Sequence, residues 1–463
     1  GTAADNVLLL GPTDLIRYVP GENWYGTSPN IRYRAWDQST GTAGDIVSSS
    51  TSGGSTAFST AIEQAYITVN AVNDAPTFSG LDGAPSFTEG GSVVTFDSDV
   101  TISDFELDNA SDYSGASLTI ARNGGADSND DFDFDTSGAS FTVSGGNLQS
   151  GGQTFATFTD SSGTLTINFT SGSTAATGAL VDEVLQRITY QNTSDDPASS
   201  AQMDWTFSDG TDSDSGSTTV SITGVNDEPT LTATGADPTF TEGGSNQDLF
   251  SGVTIDTVES GQTITGMTIT VTDVSDTGEE FMEIDGSVID ITQASSNTTA
   301  TNGLSYSVAF SSGTATITLS GGTLTEVEAQ TLVDGLTYGH TGDDPTTGSS
   351  RVVTLTSITD SGSNTGDNDN VAALAVSSTV SITAVNDAPV VSNLNGDAAS
   401  EIVAGDGAQD VTDLNDVTVT NADSSDYNGG FITLSQLSGT TNGDWSVDGA
   451  NVTYGGEANI SAG

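Results

Sequence analysis

The strongest constraint on the fold is a five-residue phrase, Val-Asn-Asp-x-Pro, that occurs three times. Its copies begin at Val72, Val225 and Val385, which lie 153 and 160 residues apart. This spacing is that of a compact domain and is far longer than the unit of a solenoid. Alternating apolar and polar residues, such as Ile67 and Val69 before the first copy, are typical of a half-buried strand. We therefore interpret each phrase as a joint between tandem domains.

The three joints divide the chain into four stretches. We predict the C-terminal part of a domain at residues 1–75 (the leading segment), complete domains at residues 76–228 (the first repeat) and 229–388 (the second repeat), and the N-terminal part of a domain at residues 389–463 (the trailing segment). Residues 417–421 and 426–429 of the trailing segment match residues 100–104 and 112–115 of the first repeat. Half a sandwich cannot bury a core. Either the two partial domains belong to a longer chain, or neighbouring chains complete them.

The two repeats share local signals. Each opens with Phe-Thr-Glu-Gly-Gly and later shows the i, i+3, i+4, i+7 spacing of a buried helix face, at Val181, Val184, Leu185 and Ile188 and at Ala329, Leu332, Val333 and Leu336. Thr325 and Glu328 have the spacing of a capping box. In residues 131–135, carboxylates alternate with Phe132 and Phe134, which predicts a strand. Short strands and Gly, Ser, Asn and Asp turns elsewhere predict a mainly β fold of tandem Greek-key β-sandwich domains in a linear array, each with a short helix.

The charge balance restricts the partners of this chain. Its 63 acidic residues face six basic ones, all arginines, and the net charge is −57. Nucleic acid and anionic lipid surfaces would be repelled, so we expect neither as a partner. No apolar run approaches the roughly 20 residues of a membrane span, so we expect no direct membrane insertion. There is no cysteine, which excludes disulfides and thiolate ligands. Cations bound only by the folded state would offset the self-repulsion, and a divalent metal is the natural counter-charge.

The sequence does not predict an enzyme. The only histidine, His340, corresponds to Asn192 in the first repeat and is interpreted as a tolerated surface residue. No nucleophile and base pair can be assembled. We see no regular threonine ladder and no clustered tryptophans, which argues against ice or carbohydrate binding. The acidic stretches at residues 127–135 and 367–370 are interpreted as solvated loops, because neither has the spacing of an EF-hand.

The joints have the ligand chemistry of calcium. Ca²⁺ takes about six to eight oxygen ligands from carboxylates, amides and backbone carbonyls. The joint phrase, the glutamate shortly after it and the sequence Ala-Trp-Asp-Gln at residues 35–38 resemble the cadherin-like repeats of large bacterial surface and secreted proteins. This resemblance implies cadherin/Ig-like sandwiches with Ca²⁺ at the joints. The alternative is that Asn-Asp-x-Pro is merely a turn.

The resemblance also implies a ligand set. It comprises the joint pairs Asn73 and Asp74, Asn226 and Asp227, Asn386 and Asp387, the opening-strand residues Glu89 and Glu242, the Asp-x-Asp positions Asp104 and Glu106, Asp256 and Glu259, Asn421 and Asp423, the late-strand residues Asp209 and Asp360, and the pairs Asp195 with Asp196 and Asp343 with Asp344. The chain departs from the cadherin pattern at Ala71, Gly224 and Ala384 and at the residue after each Asn-Asp pair. We therefore expect one ion per joint, bound more weakly than in cadherins.

Together these features predict a calcium-rigidified extracellular spacer or stalk of a large bacterial surface adhesin. Its partners would be neighbouring repeats and other copies of itself, and the sequence does not name an adhesion target. The alternative is a structural subunit of an extracellular filament, sheath or surface layer that assembles head to tail. The two functions share calcium at the joints and differ in what completes the partial domains.

Overall fold

A computed structural model describes residues 6–392 and 418–423 of the chain. Most of the trailing segment, including the predicted match at residues 426–429, lies outside the described residues. In the leading segment the described strands are β1 (Asn6–Leu8), β2 (Gly26–Thr27), β3 (Ile31–Tyr33), β4 (Ile46–Ser48), β5 (Glu63–Ala65) and β6 (Thr68–Val69). Strand β1 pairs with β4, β2 with β6 and β3 with β5, all antiparallel.

The first repeat contains thirteen strands and two helices. These are β7 (Thr77–Ser79), β8 (Ser86–Thr88), β9 (Val94–Thr95), β10 (Thr101–Ser103), α1 (Phe105–Ala110), β11 (Ser117–Arg122), β12 (Asp130–Phe134), β13 (Thr142–Ser144), β14 (Asn147–Ser150), β15 (Gln153–Asp160), β16 (Thr164–Phe169), α2 (Gly178–Gln186), β17 (Ile188–Asn192), β18 (Ser200–Ser208) and β19 (Ser213–Thr223). The predicted strand around residues 131–135 is β12, and its Phe132 and Phe134 are buried.

The second repeat contains thirteen strands and one helix. These are β20 (Thr230–Gly235), β21 (Thr239–Thr241), β22 (Gln247–Asp248), β23 (Phe250–Asp256), β24 (Ile264–Thr272), β25 (Glu280–Ile284), β26 (Ser287–Asp290), β27 (Ser295–Thr298), β28 (Ser305–Ser311), β29 (Thr314–Ser320), α3 (Glu326–Asp334), β30 (Thr337–His340), β31 (Arg351–Asp360) and β32 (Val371–Thr383). Beyond the third joint, β33 (Val390–Ser392) pairs with β34 (Thr418–Thr420).

The repeats have matching sheets. A large sheet has the order β13-β14-β15-β16-β11-β18-β19-β8 in the first repeat and β21-β32-β31-β24-β29-β28-β27 in the second. Smaller sheets, β12-β17-β9 and β22-β30-β25-β26, supply the other layer. In each repeat the opening strand adds in parallel to the last one, with Phe87 opposite Ile222 and Phe240 opposite Ile382. The fold class predicted from sequence, mainly β with sandwich repeats that carry short helices, is confirmed.

Each repeat has its own buried core. One cluster runs from Phe87 to Ile222 and includes the fully buried Trp205, and the other runs from Leu231 to Ile382. Helices α2 and α3 contribute the predicted apolar faces, with three buried residues each. Thr325 and Glu328 form the predicted capping box at α3. Helix α1 was not predicted and follows Asp104, which accepts a hydrogen bond from the Leu107 N–H at 2.8 Å.

The outer faces of the large sheets correct the expectation that no threonine ladder exists. In the first repeat the cross-strand partners include a row of Thr159, Thr166, Thr119 and Thr206 on four neighbouring strands. In the second repeat Thr316, Thr270 and Thr354 form a similar row. The ladder runs across strands that are distant in sequence, so no pattern along the sequence reveals it. Threonine suits such positions because cross-strand Thr pairs stabilise a pleated, half-exposed surface.

Candidate metal centres

The asparagine and aspartate have the same geometry at every joint. The Nδ2 of Asn73, Asn226 and Asn386 donates to the carbonyl of the next residue at 3.1, 3.1 and 2.9 Å. This bond holds each asparagine side chain against the backbone of its own joint. The predicted pairs therefore occupy equivalent positions at all three joints.

A carboxylate from beyond the joint accepts a hydrogen bond from the backbone N–H of each joint aspartate. The N–H of Asp74 donates to Glu106 at 3.1 Å, and that of Asp227 donates to Glu259 at 2.7 Å. At the third joint the N–H of Asp387 donates to Asp423. The Asp-x-Asp assignments for Glu106, Glu259 and Asp423 thus each bring a carboxylate to a joint.

The opening-strand glutamates reach the joint at the far end of their own repeat. The N–H of Val225 donates to Glu89, and that of Val385 donates to Glu242, both at 2.8 Å. The parallel pairing explains this reach, because β8 and β21 run beside the strands that enter the joint. The sequence assigned Glu89 to the second joint and Glu242 to the third, and these contacts lie at those joints.

Two groups of three carboxylates lie at these joints. Ligand oxygens of Glu89, Asp195 and Asp227 lie within 4.8 Å of one another, and so do those of Glu242, Asp343 and Asp387. Burial raises the pKa of Glu89, and the charges of Asp227, Glu259 and Asp195 add to this shift. Among the described residues no arginine forms an ion pair with either group. Each group therefore concentrates negative charge without a protein cation.

The first joint includes a buried carboxylate oxygen with no partner. Asn73 Nδ2 donates to Asp209 at 2.7 Å and to Asp212 at 3.0 Å. Asp104 is 3% exposed, and its Oδ2 has no hydrogen-bond partner among the described residues. Burial raises the pKa of Asp104, and the charges of Asp209 and Glu106 raise it further. Asp212 was missed by the sequence analysis, although it lies only three residues after Asp209.

The second joint contains a similar oxygen. Asp360 is 1% exposed; Gly362 N–H donates to its Oδ1 at 2.6 Å, while Oδ2 has no partner in the described structure. Burial raises the pKa of Asp360, and the nearby Asn226 side chain lowers it, although the hydrogen-bond geometry directs Asn226 Nδ2 to the carbonyls of Asp227 and Asp369 and not to Oδ2. Burial also raises the pKa of Glu259, to which the charges of Asp227 and Asp360 contribute. Asp196 contacts the same region by accepting from the Ser260 N–H at 3.1 Å.

The loop at residues 367–370 is not simply solvated, contrary to the sequence interpretation. The N–H of Asn226 donates to Asn368 Oδ1 at 2.8 Å, and Asn226 Nδ2 donates to the Asp369 carbonyl at 2.6 Å. Gln262 also donates to Asn226. The loop therefore forms one wall of the second joint. Its contact with a joint 142 residues earlier in the chain has no sequence signal.

Three predicted ligands differ from the rest. Asp256 is exposed and caps the Val258 N–H within its own turn, and the buried Thr257 occupies the place of Asp104. The equivalence follows from the strand pairs β7–β10 and β20–β23. Ile102 lies opposite Phe78 in the first pair, and Ile255 lies opposite Leu231 in the second. Asp344 is exposed beside Asp343. Asn421 has a buried Oδ1 with no partner among the described residues.

The interpretation of His340 as a surface residue is wrong. His340 is buried in β30; its Nε2 lies 3.0 Å from Asp276, and its Nδ1 accepts from the Gly342 N–H. The fully buried Arg351 binds both oxygens of Glu280 and also contacts Asp276. This acidic cluster already contains its cation. We interpret it as structural, because a metal would have to displace a buried guanidinium.

The first repeat has a similar ion pair at the position that corresponds to this cluster, but its arginine comes from a different strand. Asp130 accepts from Arg122 of β11, from the Tyr190 hydroxyl at 2.7 Å and from Asn192 at 2.9 Å. The acidic stretch at residues 127–135 therefore also includes a partly buried ion pair and is not only a solvated loop. The pairing of Asn192 with Asp130 matches that of His340 with Glu280, which supports their assignment as counterparts.

The chain is similar to solved structures at low sequence identity. No protein-family model matches the chain, and no curated protein matches it. A crystal structure of human protocadherin-24 EC1-2 is 11% identical over 67% of this chain and 100% of its own, with a TM-score of 0.26. Drosophila N-cadherin EC1-4 is 12% identical over 71% of this chain and 53% of its own (TM-score 0.23), and titin domains Z1Z2 in complex with telethonin are 12% identical over 68% and 99% (TM-score 0.17).

These solved structures are of cadherin and titin domains. The described part of the chain contains no helix that is long and apolar enough to span a bilayer.

Proposed function

We propose that this chain is a calcium-rigidified repeat region, a spacer or stalk, of a large extracellular adhesin of a bacterial surface. The observation that carries the proposal is the pair of buried, unpartnered carboxylate oxygens, Asp104 Oδ2 at the first joint and Asp360 Oδ2 at the second. A buried charge without a partner is strongly unfavourable. A cation at each joint would provide the missing partner.

The donor set suits calcium. The side chains at the joints offer carboxylate and amide oxygens, and none of the predicted ligands is a histidine or cysteine. Hard oxygen donors in this number favour Ca²⁺, whereas zinc prefers nitrogen and sulfur ligands. Extracellular calcium modules bind with dissociation constants of about 10⁻⁴–10⁻³ M. Such weak sites would be filled outside a cell, which supports an extracellular location.

Rigidity would follow because the oxygen ligands of the ion come from both repeats. At the second joint Glu89 and Asp195 belong to the first repeat, whereas Glu259 and Asp360 belong to the second. An ion held by both sets would tie the two predicted domains together and restrict the angle between them. Without the ion, the carboxylates repel one another. The proposed domains are residues 1–75, 76–228, 229–388 and 389–463, and the proposed occupancy is one ion per joint.

Distance measurements between spin labels can test this function. The chain has no cysteine, so Val143→Cys and Val288→Cys, both at exposed positions, would place one label on each side of the second joint. We expect a narrow distance distribution with excess calcium and a broad one with chelator. Magnesium serves as the control, because it demands a stricter octahedral geometry and gives up its water reluctantly. Equal widths with calcium and with chelator would refute calcium-dependent stiffening.

A further inference from the structure

The loop that follows β31 is longer than its counterpart in the first repeat. Strand β18 lies between β11 and β19 in one large sheet, and β31 lies between β24 and β32 in the other. Residues 209–212 join β18 to β19, whereas residues 361–370 (the long loop) join β31 to β32. The long loop contains only Ser, Gly, Asn, Thr and Asp, so hydrophobic burial does not hold it in place.

Hydrogen bonds hold the long loop on Asn226 of the second joint. The Asn226 N–H donates to Asn368 Oδ1 at 2.8 Å, and the Asn226 carbonyl accepts from the Asp369 N–H at 2.8 Å. The Asn226 Nδ2 donates to the Asp369 carbonyl at 2.6 Å. The loop thus contacts both the backbone and the side chain of Asn226, which is 7% exposed.

Contacts within the long loop orient Asn368 for this role. Asn368 Nδ2 donates to the Thr365 carbonyl at 2.7 Å, which leaves Oδ1 to accept from Asn226. At the base of the loop the Asp360 N–H donates to the Asn370 carbonyl at 3.1 Å. Asn368 is therefore a positioning residue whose amide is held at both ends.

The first joint lacks this set of contacts among the described residues. Asn73 forms its hydrogen bonds there through Nδ2, to the Asp74 carbonyl and to the carboxylates of Asp209 and Asp212. Its backbone forms none with the turn at residues 209–212 in the described structure. The contact with the joint backbone is thus a property of the long loop and not of the shared Val-Asn-Asp-x-Pro phrase.

The same loop also positions the buried oxygen that lacks a partner. It begins directly after Asp360, whose Oδ2 has no hydrogen-bond partner among the described residues. The Gly362 N–H donates to Asp360 Oδ1 at 2.6 Å, and a Cβ on Gly362 would lie 1.5 Å from Asn226 Oδ1. One segment therefore sets the positions of both Asp360 and Asn226, two of the residues proposed to bind calcium.

We propose that the long loop is a clamp that holds Asn226 in place for calcium and raises the calcium affinity of the second joint. This inference rests on the calcium-dependent stiffening proposed above and adds which segment controls binding at this joint. A ligand residue that is ordered before the ion arrives lowers the entropic cost of binding. Because such coupling is reciprocal, the bound ion would in turn stabilise the ordered loop.

The calcium dependence of the spin-label distances across the second joint tests the clamp. In the Val143→Cys and Val288→Cys chain, Asn368→Ala should raise the calcium concentration at half-maximal narrowing by about fivefold, the factor expected for one lost hydrogen bond. Replacement of residues 361–370 by Gly-Thr-Asp, the sequence of residues 210–212, should raise it by more than about tenfold. Asn364→Ala is the matched control and should leave this concentration unchanged, because Asn364 is exposed in the same loop and forms no hydrogen bond among the described residues.

Hydrogen exchange in chelator, measured by mass spectrometry, gives a second measurement that needs no calcium. Asn368→Ala should speed exchange of the Asn226 N–H by about fivefold, because this group loses its acceptor, and Asn364→Ala should not. Equal calcium midpoints in the parent and the loop variants, or unchanged exchange at Asn226, would overturn the clamp and leave calcium-dependent stiffening in place. A parent chain whose distances do not narrow with calcium would overturn both proposals.

Discussion

Replacement of Asp360 by asparagine separates a calcium ligand from a purely structural carboxylate. Asp360 is 1% exposed, Gly362 N–H binds its Oδ1, and its Oδ2 has no partner among the described residues. In the metal-free chain this oxygen carries buried, uncompensated charge, and asparagine is neutral and of the same shape. With calcium bound, the same substitution removes a charged ligand. We therefore expect the substitution to stabilise the chain in chelator and to remove most of the stabilisation that calcium adds to the parent chain.

The magnitudes follow from the buried charge and from mass action. In chelator, Asp360→Asn should raise the free energy of unfolding of the second repeat by about 1–3 kcal/mol, the penalty of an unsatisfied buried group. In the parent chain, one ion at a calcium concentration about 100 times its dissociation constant adds about 2.7 kcal/mol. For a domain of this size that corresponds to a rise in Tm of about 5–11 °C, most of which the variant should lose.

Differential scanning calorimetry with excess calcium and with chelator measures both effects. The matched control is Asp334→Asn at the exposed end of α3, which removes the same charge and should change Tm equally in the two conditions. If Asp360→Asn is destabilising to the same extent with and without calcium, the carboxylate acts only through its hydrogen bond to Gly362. If the calcium-induced rise in Tm is unchanged, no ion depends on Asp360. Either result would refute the reasoning.

Three further substitutions test the electrostatics and the geometry. Burial raises the pKa of Asp160, so the stability that its protonated form contributes is present at low pH and is lost as the pH rises through the raised pKa. In chelator, Asp160→Asn should flatten the decline with rising pH of the free energy of unfolding, measured by urea titration, and an unchanged slope would contradict this. Arg351→Met would leave Glu280 buried and unpaired and should lower the free energy of unfolding by about 3–5 kcal/mol, whereas a loss below about 1 kcal/mol in denaturant titrations would exclude a stabilising ion pair. Gly362→Ala would place a Cβ 1.5 Å from the Oδ1 of Asn226 and should abolish much of the calcium-induced rise in Tm. Gly348→Ala, whose Cβ would have nothing within 4 Å, should preserve that rise. Equal calcium responses of the two variants would count against the joint geometry.

The sequence predicted the architecture because its signals are local or periodic. Strand alternation, the helix faces of α2 and α3 and the capping box at Thr325 depend on residues a few positions apart, and all are confirmed. Helix α1 was missed because six residues without a buried member leave no apolar periodicity to detect. The bounds of the domains and the identity of the metal remain predictions.

Much of the candidate site was also accessible from the sequence, because equivalent residues recur at fixed distances from each joint. Glu89 and Glu242 are an example, since both were assigned by their place after Phe-Thr, and both contact the joint valine that the assignment implies. Asp256 shows the weakness of this method. The sequence alignment was one residue out of register there. It selected an exposed carboxylate instead of the buried Thr257, which holds the position of Asp104.

By itself the sequence determined that this is an acidic array of β-sandwich repeats with oxygen-rich joints, since repetition and composition are properties of the chain. Only the tertiary structure decided which oxygens are buried without a partner, that the loop at residues 367–370 belongs to the second joint, that His340 is buried and that threonines align across strands. The physical reason is that desolvation and cross-strand proximity depend on contacts between residues far apart in sequence. Those contacts bring the carboxylates at each recurring joint phrase close together, where their charge requires compensation.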